Sequence, residues 1–238
     1  MTDDELIKHV ETSYLKAQSN QGFLEDAYRI QDLYSISSLK FKYLLNNLCT
    51  LPGAVLLELG CHRGGTLVSS LYKNTLVAAY AVDNFSYDPL SLCTNTETQS
   101  LSNFNPKGWG NVKMTLIENL ERFALDKSVK LHSGDWNTIS GSFLKHKVNI
   151  LHIDLTVNET IENVLKFYDP KLTETFVLVL ANYNEAINVR NALDTYVTNR
   201  RHLIKFKIEE TSPSNSDTSR WWNGLGLFVI EKMGNINV

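Results

Sequence analysis

The chain begins with amphipathic segments and then changes to short apolar runs. In the first part, Leu6, Val10 and Tyr14 recur at the spacing of a helix with one buried face. A Pro-Gly pair then ends this helical section, because neither residue favours the continuation of a helix. The pattern predicts an N-terminal helical cap over residues 1–50 and a second domain over residues 51–238.

In the second domain, short apolar runs alternate with helical stretches. The predicted strands are Ala54–Leu59, Val77–Val82, Val129–His132, Val148–Ile153, Thr175–Ala181, Leu203–Glu209 and Leu225–Glu231. The predicted helices are Gly65–Tyr72, Val112–Leu125, Thr138–Lys145, Glu159–Tyr168 and Glu185–Thr198. This alternation predicts an α/β fold with a mostly parallel, doubly wound sheet. The last two strands are joined only by a polar loop, so we expect them to form an antiparallel hairpin at one edge.

Composition and charge narrow the class of protein. Apolar residues make up 43% and charged residues 21%, which is ordinary globular usage. The net charge of −3 disfavours an extended nucleic-acid surface, although it does not exclude a small basic site. Three scattered cysteines suit a reducing compartment, and the acidic start of the chain is unlike a signal peptide. We therefore expect a cytoplasmic protein without a membrane partner.

Two polar segments are predicted to be exposed loops. Asp88–Gly110 is long for a structureless connection. It contains Phe104 and Trp109, and Tyr87 lies just before it. Such a loop is typical of a lid over an acceptor, although ordinary packing against the sheet explains the aromatic residues equally well. Thr211–Arg220 is the second polar segment.

Features near the C-terminus bear on possible partners. Lys205 and Lys207 alternate along a predicted strand and share one face. This spacing favours an edge strand guarded by lysines, with a phosphate-bearing acceptor as the alternative. Trp221 and Trp222 lie next to a polar loop, where exposed indoles would suit contact between copies of a homo-oligomer.

Candidate chemistry follows the first predicted strand. In open α/β sheets, ligands bind beyond the carboxyl ends of the strands. The first strand leads into a glycine-rich turn that consists of Gly60, Cys61, His62, Arg63, Gly64, Gly65 and Thr66. Glycines allow a backbone to approach a ligand closely at a helix N-terminus. The spacing differs from GxGxxG, which disfavours pyrophosphate binding, and a simple tight turn remains an alternative.

Acidic residues follow the next two strands. Asp83 could accept both hydroxyl groups of a ribose, since a carboxylate has two acceptor oxygens. A solvated Asp is the alternative interpretation. Asp135 could accept a hydrogen bond from an exocyclic amine, with Trp136 covering a ring face. The alternative is an Asp that caps a helix starting near Thr138, beside a core tryptophan.

Polar residues also follow the fourth and fifth strands. Asp154 occupies the central place where chemistry is expected, and it could bind a metal, act as a base or orient a substrate. Asn182 and Tyr183 could line the same pocket. His132 and His152 lie within strand ends, where a lone histidine is more typical of the core.

These stretches together resemble class I S-adenosylmethionine-dependent methyltransferases. The resemblance covers roughly residues 50–232 and is carried, in order, by residues 55–66 (VLLELGCHRGGT), 81–86 (AVDNFS), 129–136 (VKLHSGDW), 149–154 (NILHID) and 221–230 (WWNGLGLFVI). The residues look closest to the small-molecule and sugar O-methyltransferase branch. The resemblance implies a Rossmann-like doubly wound sheet of about seven strands, with an antiparallel C-terminal edge hairpin, and S-adenosyl-L-methionine as the cofactor.

The resemblance also implies roles for individual residues. Glu58 would help to hold the amino end of the cofactor, Asp83 would bind the ribose hydroxyls, and Asp135 would reach the adenine amine. The implied cofactor-binding residues are Glu58, Gly60, Cys61, His62, Gly64, Gly65, Thr66, Asp83, Asn84, Phe85, Gly134, Asp135, Trp136 and Asp154.

The chain departs from that branch at the expected acidic residues. Where the branch has Ile-Asp-Gly-Asp, this chain has Ile153-Asp154-Leu155-Thr156, and where the branch has Asp-Asp-Tyr, this chain has Ala181-Asn182-Tyr183. Of the three carboxylates expected as metal ligands, this chain keeps only Asp154, and Asn182 is a candidate for a neutral ligand. Because Mg²⁺ favours several oxygen ligands, usually charged, we expect weak or absent metal binding.

The sequence therefore predicts methyl transfer to a small-molecule acceptor, such as a sugar or a phosphate-bearing compound. The reaction is an in-line displacement that requires alignment and exclusion of water. Asp154 is the first candidate for a base or an orienting group, His62 is the second, and Tyr183 could position the acceptor.

Other function classes stay open. A nicotinamide-dependent oxidoreductase would share the architecture, although the glycine spacing disfavours it. A decayed, non-catalytic methyltransferase fold that binds a ligand or a protein is favoured by the missing carboxylates. We expect no nucleic-acid acceptor, because no Asn/Asp-Pro-Pro-Tyr run follows the fourth strand and the charge balance is acidic.

Overall fold

A seven-stranded sheet with helices on both faces organises the computed structural model. The model describes residues 1–33, 37–86, 111–155, 161–183, 187–210, 221 and 224–233. Outside the described residues lie several predicted features, namely the lid with Tyr87, the 211–220 loop, Thr156 and Trp222. The helices are α1 (Asp3–Gln18), α2 (Tyr28–Gln31), α3 (Leu39–Leu48), α4 (Gly65–Leu71), α5 (Val112–Arg122), α6 (Ile161–Tyr168) and α7 (Ile187–Arg200). The strands are β1 (Val55–Leu59), β2 (Ala78–Asp83), β3 (Lys130–Ser133), β4 (Val148–Ile153), β5 (Leu172–Ala181), β6 (Leu203–Glu210) and β7 (Leu225–Glu231).

The strand order is β3-β2-β1-β4-β5-β7-β6. The first five strands in the chain pair in parallel, and β7 is antiparallel to both β5 and β6. This arrangement confirms the predicted doubly wound sheet with an antiparallel C-terminal hairpin. β6 forms the outer edge of that hairpin, and β7 lies inside the sheet.

The predicted helix over Thr138–Lys145 is wrong, because the segment consists of turns and irregular structure. Gly141 and its two serine neighbours favour helix weakly. Lys130 on β3 extends its ammonium to the carbonyl oxygen of Phe143 at 2.9 Å, which satisfies that group without a helix. Asp135 therefore caps no helix here.

Two apolar clusters lie on opposite faces of the sheet. The N-terminal helices pack on one face, where Val10 and Phe41 join Leu56, Val177 and Leu227 of the sheet in one cluster. Helices α6 and α7 cover the other face. Residues 1–50 thus bury their apolar side against the sheet. No helix in the described part of the chain has the length and hydropathy needed to cross a bilayer.

A buried asparagine attaches α3 to α4. The Asn46 side-chain amide donates to the carbonyl oxygens of Ser69 at 2.7 Å and Tyr72 at 3.0 Å. Asn74 donates in turn to the backbone oxygen of Asn46 at 2.8 Å. These contacts satisfy carbonyl groups that a helix end leaves without partners. The N-terminal helices are therefore held to the sheet layer by specific hydrogen bonds as well as by apolar packing.

The C-terminal basic and aromatic residues are engaged within the chain. Lys205 pairs with Glu231 at 3.1 Å, and Lys207 pairs with a glutamate two positions along its own strand at 3.1 Å. These pairs favour the guarded-edge interpretation. The expected exposure of Trp221 is wrong, because this indole is 2% exposed and stacks on Tyr14 with ring centroids 5.6 Å apart.

Asp169 precedes β5 at the amino-terminal end of the parallel strands, and it connects this segment to α7 and to the residue before β6. Its Oδ1 accepts hydrogen bonds from the Tyr196 hydroxyl at 2.7 Å and from the His202 ring at 3.0 Å. Burial raises the pKa of Asp169, but the hydrogen bonds of Tyr196 and His202 outweigh burial, so the pKa is lowered. The ionised carboxylate therefore contributes to stability.

We expect Asp169→Ala to lower the free energy of unfolding by about 1–3 kcal/mol, because two buried donors lose their acceptor. The pKa of Asp169 is lower in the folded state than the value of about 3.9 in the unfolded state. The stabilisation by the ionised carboxylate is therefore fully present above that unfolded-state pKa, and it is lost as the pH falls through the folded-state pKa. Urea titrations at about pH 7 and about pH 3 should therefore separate wild type from the variant mainly at the higher pH. Asp126→Ala, at an exposed aspartate, is the control and should change little.

The carboxyl ends of β1 and β4 approach each other closely at Gly60. Its φ is +85°, and an added Cβ would lie 2.0 Å from the carbonyl oxygen of Asp154. The amide of Asp154 donates to the oxygen of Leu59 at 2.8 Å. Gly53 also has a positive φ, of +76°, but nothing lies within 4 Å of its Cβ position. Substitutions at these two glycines therefore distinguish the cost of a left-handed backbone conformation from the cost of a steric clash.

Gly53→Ala should lower the free energy of unfolding by about 1–2 kcal/mol, which is the usual penalty for a residue with a side chain in a left-handed conformation. Gly60→Ala carries the same penalty and must also displace the Asp154 backbone, so we expect a clearly larger loss. Urea unfolding of both variants tests this difference. Equal losses would contradict a structural role for the close approach.

Candidate functional site

The glycine-rich turn after β1 is shaped by close packing. Gly64 has a φ of +82°, and an added Cβ would lie 2.3 Å from the Cδ1 atom of Leu116 on α5. The backbone oxygen of Arg63 accepts a hydrogen bond from Asn119 at 2.9 Å. His62 adopts a φ of +45° within this turn. The turn is thus fixed by α5, and it leads directly into the N-terminus of α4.

Asp83 lies against this turn, as the sequence predicts for an acid that works together with the glycines. Its two carboxylate oxygens accept from the backbone amides of His62 and Phe85, both at 2.7 Å. Burial raises the pKa of Asp83, while these two hydrogen bonds act in the opposite direction. Each oxygen has a second lone pair, so the carboxylate keeps acceptor capacity for a ligand.

The third strand end joins the same edge. Asn84 donates to the Oδ1 atom of the exposed Asp135 at 2.8 Å, which connects the ends of β2 and β3. Gly134 donates its amide to the backbone oxygen of Asp83 at 2.9 Å. Trp136 packs edge to face on Phe167 of α6, with ring centroids 5.5 Å apart. The structure therefore brings Asp135 beside Asp83 and engages the indole in packing against a helix.

Asp154 stands at the end of β4 with both oxygens held by neutral donors. Asn182 donates to Oδ1 at 2.7 Å, and Ser37 donates to Oδ2 at 3.2 Å. Burial raises the pKa of Asp154, and its two hydrogen bonds lower it in part. The sequence gives no sign of this role for Ser37, because no local pattern marks a residue that meets its partner 117 positions away.

Glu58 and His152 form a buried pair beneath the turn. Both side chains are 0% exposed, and the Nδ1 atom of His152 lies 3.7 Å from the Oε1 atom of Glu58. Thr66 donates to that same Oε1 atom at 2.5 Å. The histidine is buried, as expected for a core residue. The sequence did not indicate that its neighbour would be a carboxylate.

The two remaining catalytic candidates have environments that limit their chemistry. Burial and the nearby charge of Arg63 lower the pKa of His62 to about 4, so this imidazole is neutral and weakly basic at neutral pH. The Tyr183 hydroxyl donates to Glu209 on β6, and Arg190 lies 5.0 Å from its ring centroid. Burial raises the pKa of Tyr183, and Glu209 raises it further. The hydroxyl of Tyr183 thus already donates its proton in a hydrogen bond to Glu209.

Cys61 is buried within the turn, and burial raises the pKa of its thiol, which therefore stays neutral. Gly65 and Thr66 form the first residues of α4, so the predicted cofactor-binding turn ends in a helix N-terminus. Within the described ranges, no group of three His, Cys, Asp or Glu side chains is arranged to hold a metal ion.

A scan against models of known protein families and a search of curated protein sequences both found no match. Solved structures do share the fold. A proposed caffeoyl-CoA O-methyltransferase from Staphylococcus aureus aligns with a TM-score of 0.56 at 10% identity, over 93% of this chain and 98% of that one. A proposed RNA methyltransferase from Pyrococcus horikoshii aligns with a TM-score of 0.51 at 12% identity, over 96% and 98% of the two chains.

The cofactor-bound Rv0187 protein from MTB gives a TM-score of 0.53 at 14% identity, over 94% of this chain and 90% of that one. Each of these alignments covers at least nine-tenths of both proteins. At these identities the similarity concerns the fold alone. The chain has the Rossmann-like α/β fold that these solved structures share.

Proposed function

We propose that the chain is an S-adenosylmethionine-dependent methyltransferase that methylates an oxygen of a small molecule, such as a sugar or a phosphate-bearing compound. The observation that carries the proposal is the position of Asp83. This carboxylate is fixed by the amides of His62 and Phe85 at the glycine turn, and it retains acceptor capacity. The shared fold and the motif resemblance support the same activity.

The residues of the turn fit this cofactor. Gly60 and Gly64 hold backbone where side chains would collide with neighbouring atoms. Asp83 would accept the ribose hydroxyls, Asp135 would accept the adenine amine, and Glu58 would face the amino end through the turn. When bound, S-adenosylmethionine supplies a methyl group that is already activated by a positively charged sulfur. The chain must therefore orient the acceptor and exclude water.

Asp154 is the group that we assign to the acceptor. Asn182 and Ser37 fix its carboxylate, and burial raises its pKa, which makes it a stronger base than an exposed aspartate. In its ionised form it would accept the proton of the acceptor hydroxyl. His62 is too weak a base for this role at neutral pH. The Tyr183 hydroxyl donates a hydrogen bond to Glu209 on β6.

A nucleic-acid acceptor is the second candidate. It is favoured by one specific observation, which is that a structure with the same fold is described as an RNA methyltransferase. The net charge of −3 disfavours it, since phosphate backbones attract basic surfaces. A non-catalytic scaffold is the third candidate. An acceptor screen with a labelled methyl donor, including sugars, phosphorylated small molecules and tRNA, separates these functions.

Calorimetric titration with S-adenosylmethionine and, separately, with NAD tests the cofactor. We expect micromolar binding of the former only. Asp83→Ala should weaken that binding by about 10- to 100-fold, because a hydrogen bond to a charged group is worth about 1.5–3 kcal/mol. Asp126→Ala, at an exposed aspartate, should bind like wild type. Binding of neither cofactor would favour the non-catalytic scaffold, and binding of NAD would favour an oxidoreductase.

Asp154→Asn tests the base once an acceptor is found. The amide cannot accept the proton, so we expect kcat to fall by about 10²- to 10⁴-fold. For wild type, kcat should rise with pH through the raised pKa of Asp154, because only the ionised form accepts a proton. The variant should lose that pH dependence.

We also expect activity to survive treatment with a chelator, since Asp154 is held by neutral donors rather than by further carboxylates. Activity assays with EDTA and calorimetry with Mg²⁺ measure this directly. Tight stoichiometric binding of Mg²⁺, or activity that returns only when Mg²⁺ is added, would contradict the expectation.

A further inference from the structure

The sheet register places two carboxylates on one face beside a histidine. Glu58 on β1 is aligned with His152 on β4, so both side chains point to the same side of the sheet. Asp154 follows His152 by two positions and is therefore directed to that side as well. The ring of Phe41 on α3 lies 6.1 Å from the His152 ring and covers it. The three ionisable groups thus share one partly closed space.

Charge in this space requires compensation. Glu58 is fully buried, and an unpaired buried carboxylate is strongly unfavourable. Thr66 donates to Glu58 and Asn182 donates to Asp154, and both donors are neutral. Among the described residues, neither carboxylate forms an ion pair with a lysine or an arginine. His152 is the group in position to supply a positive charge.

We infer that His152 is a positioning residue of the methyl-transfer site, whose imidazolium places a positive charge beside the carboxylates of Glu58 and Asp154. The inference rests on the proposed function, because it assigns His152 to act through the residue at the cofactor's amino end and through the base.

The contacts of Glu58 indicate what this positioning would achieve. Its Oε1 atom is contacted by both Thr66 and His152. Its Oε2 atom is buried and has no hydrogen-bond partner within the described part of the chain. Since a carboxylate oxygen is a strong acceptor, this second oxygen keeps the capacity to accept a hydrogen bond from a cationic ligand group. His152 and Thr66 thus fix one oxygen and leave the other one free.

The other titratable groups around the pair do not supply the charge. Cys49 and Cys61 are buried thiols whose pKa is raised by burial, so both are neutral. Asp83 is a carboxylate stabilised by backbone amides. Burial by itself lowers the pKa of His152, but the adjacent carboxylates of Glu58 and Asp154 outweigh burial and raise it. The electrostatics therefore agree with the geometry.

Nuclear magnetic resonance titration of the imidazole groups tests the inference without any acceptor. The His152 signal is identified by its loss in His152→Gln. We expect His152 in the free wild-type protein to remain an imidazolium above about pH 6.5, the ordinary midpoint for histidine. Glu58→Gln should lower its midpoint. His146→Gln, at an exposed histidine, is the control and should leave the His152 titration unchanged.

Calorimetry with S-adenosylmethionine supplies the second readout. His152→Gln should weaken binding at least tenfold, because Glu58 is then left without its counter-charge. The double variant Glu58→Gln/His152→Gln replaces the ion pair by two neutral amides and should unfold at a urea concentration close to that of wild type. It should still bind weakly, which would show that folding alone does not restore the site.

Failure of the inference and failure of the proposed function give different results. The inference alone is overturned if the wild-type protein binds S-adenosylmethionine while His152 is neutral. It is also overturned if the midpoint of the His152 titration is the same in Glu58→Gln as in wild type. A wild-type protein with a charged His152 that binds no S-adenosylmethionine overturns the proposed function, and the positioning role with it.

Discussion

The contact between Gly60 and the Asp154 backbone is the constraint on which the candidate site depends. The Leu59 oxygen accepts from the Asp154 amide, and the Gly60 amide donates to the Val82 oxygen, so the ends of β1, β2 and β4 are held level. Because these ends are level, the glycine turn, Asp83 and Asp154 meet at one edge of the sheet. A side chain at position 60 would separate them. Site geometry here is a consequence of backbone packing between central strands.

The N-terminal helices are part of the site as well as of the core. Ser37 reaches Asp154, Phe41 covers His152, and Tyr14 stacks on Trp221 near the start of β7. The segment before α3 thus supplies a hydrogen-bond donor to Asp154, and α3 supplies an apolar ring beside His152. This explains why a sheet edge with few carboxylates can still hold Asp154 in a defined orientation.

The strands and the acids that follow them could be predicted from the sequence, since apolar periodicity and strand ends are local signals. β4 and β7 have the predicted bounds, and Asp83 lies at the glycine turn. The turn region around Gly141 was mistaken for a helix, because a long-range contact from Lys130 replaces helical hydrogen bonds. The contacts of Ser37, His152 and Trp221 depend on distant segments, and no local pattern encodes them.

The insertion of β7 between β5 and β6 has a consequence for biosynthesis. β5 pairs with β7 from Thr175 to Ala181, and within the described part of the chain β6 pairs with β7 alone. A chain emerging from the ribosome therefore presents β5 with one open edge, and β6 without a partner, until Leu225–Glu231 has been synthesised. Open strand edges template association with other chains. The stretch of translation between β6 and β7 is thus the interval in which a nascent chain most needs protection from its neighbours.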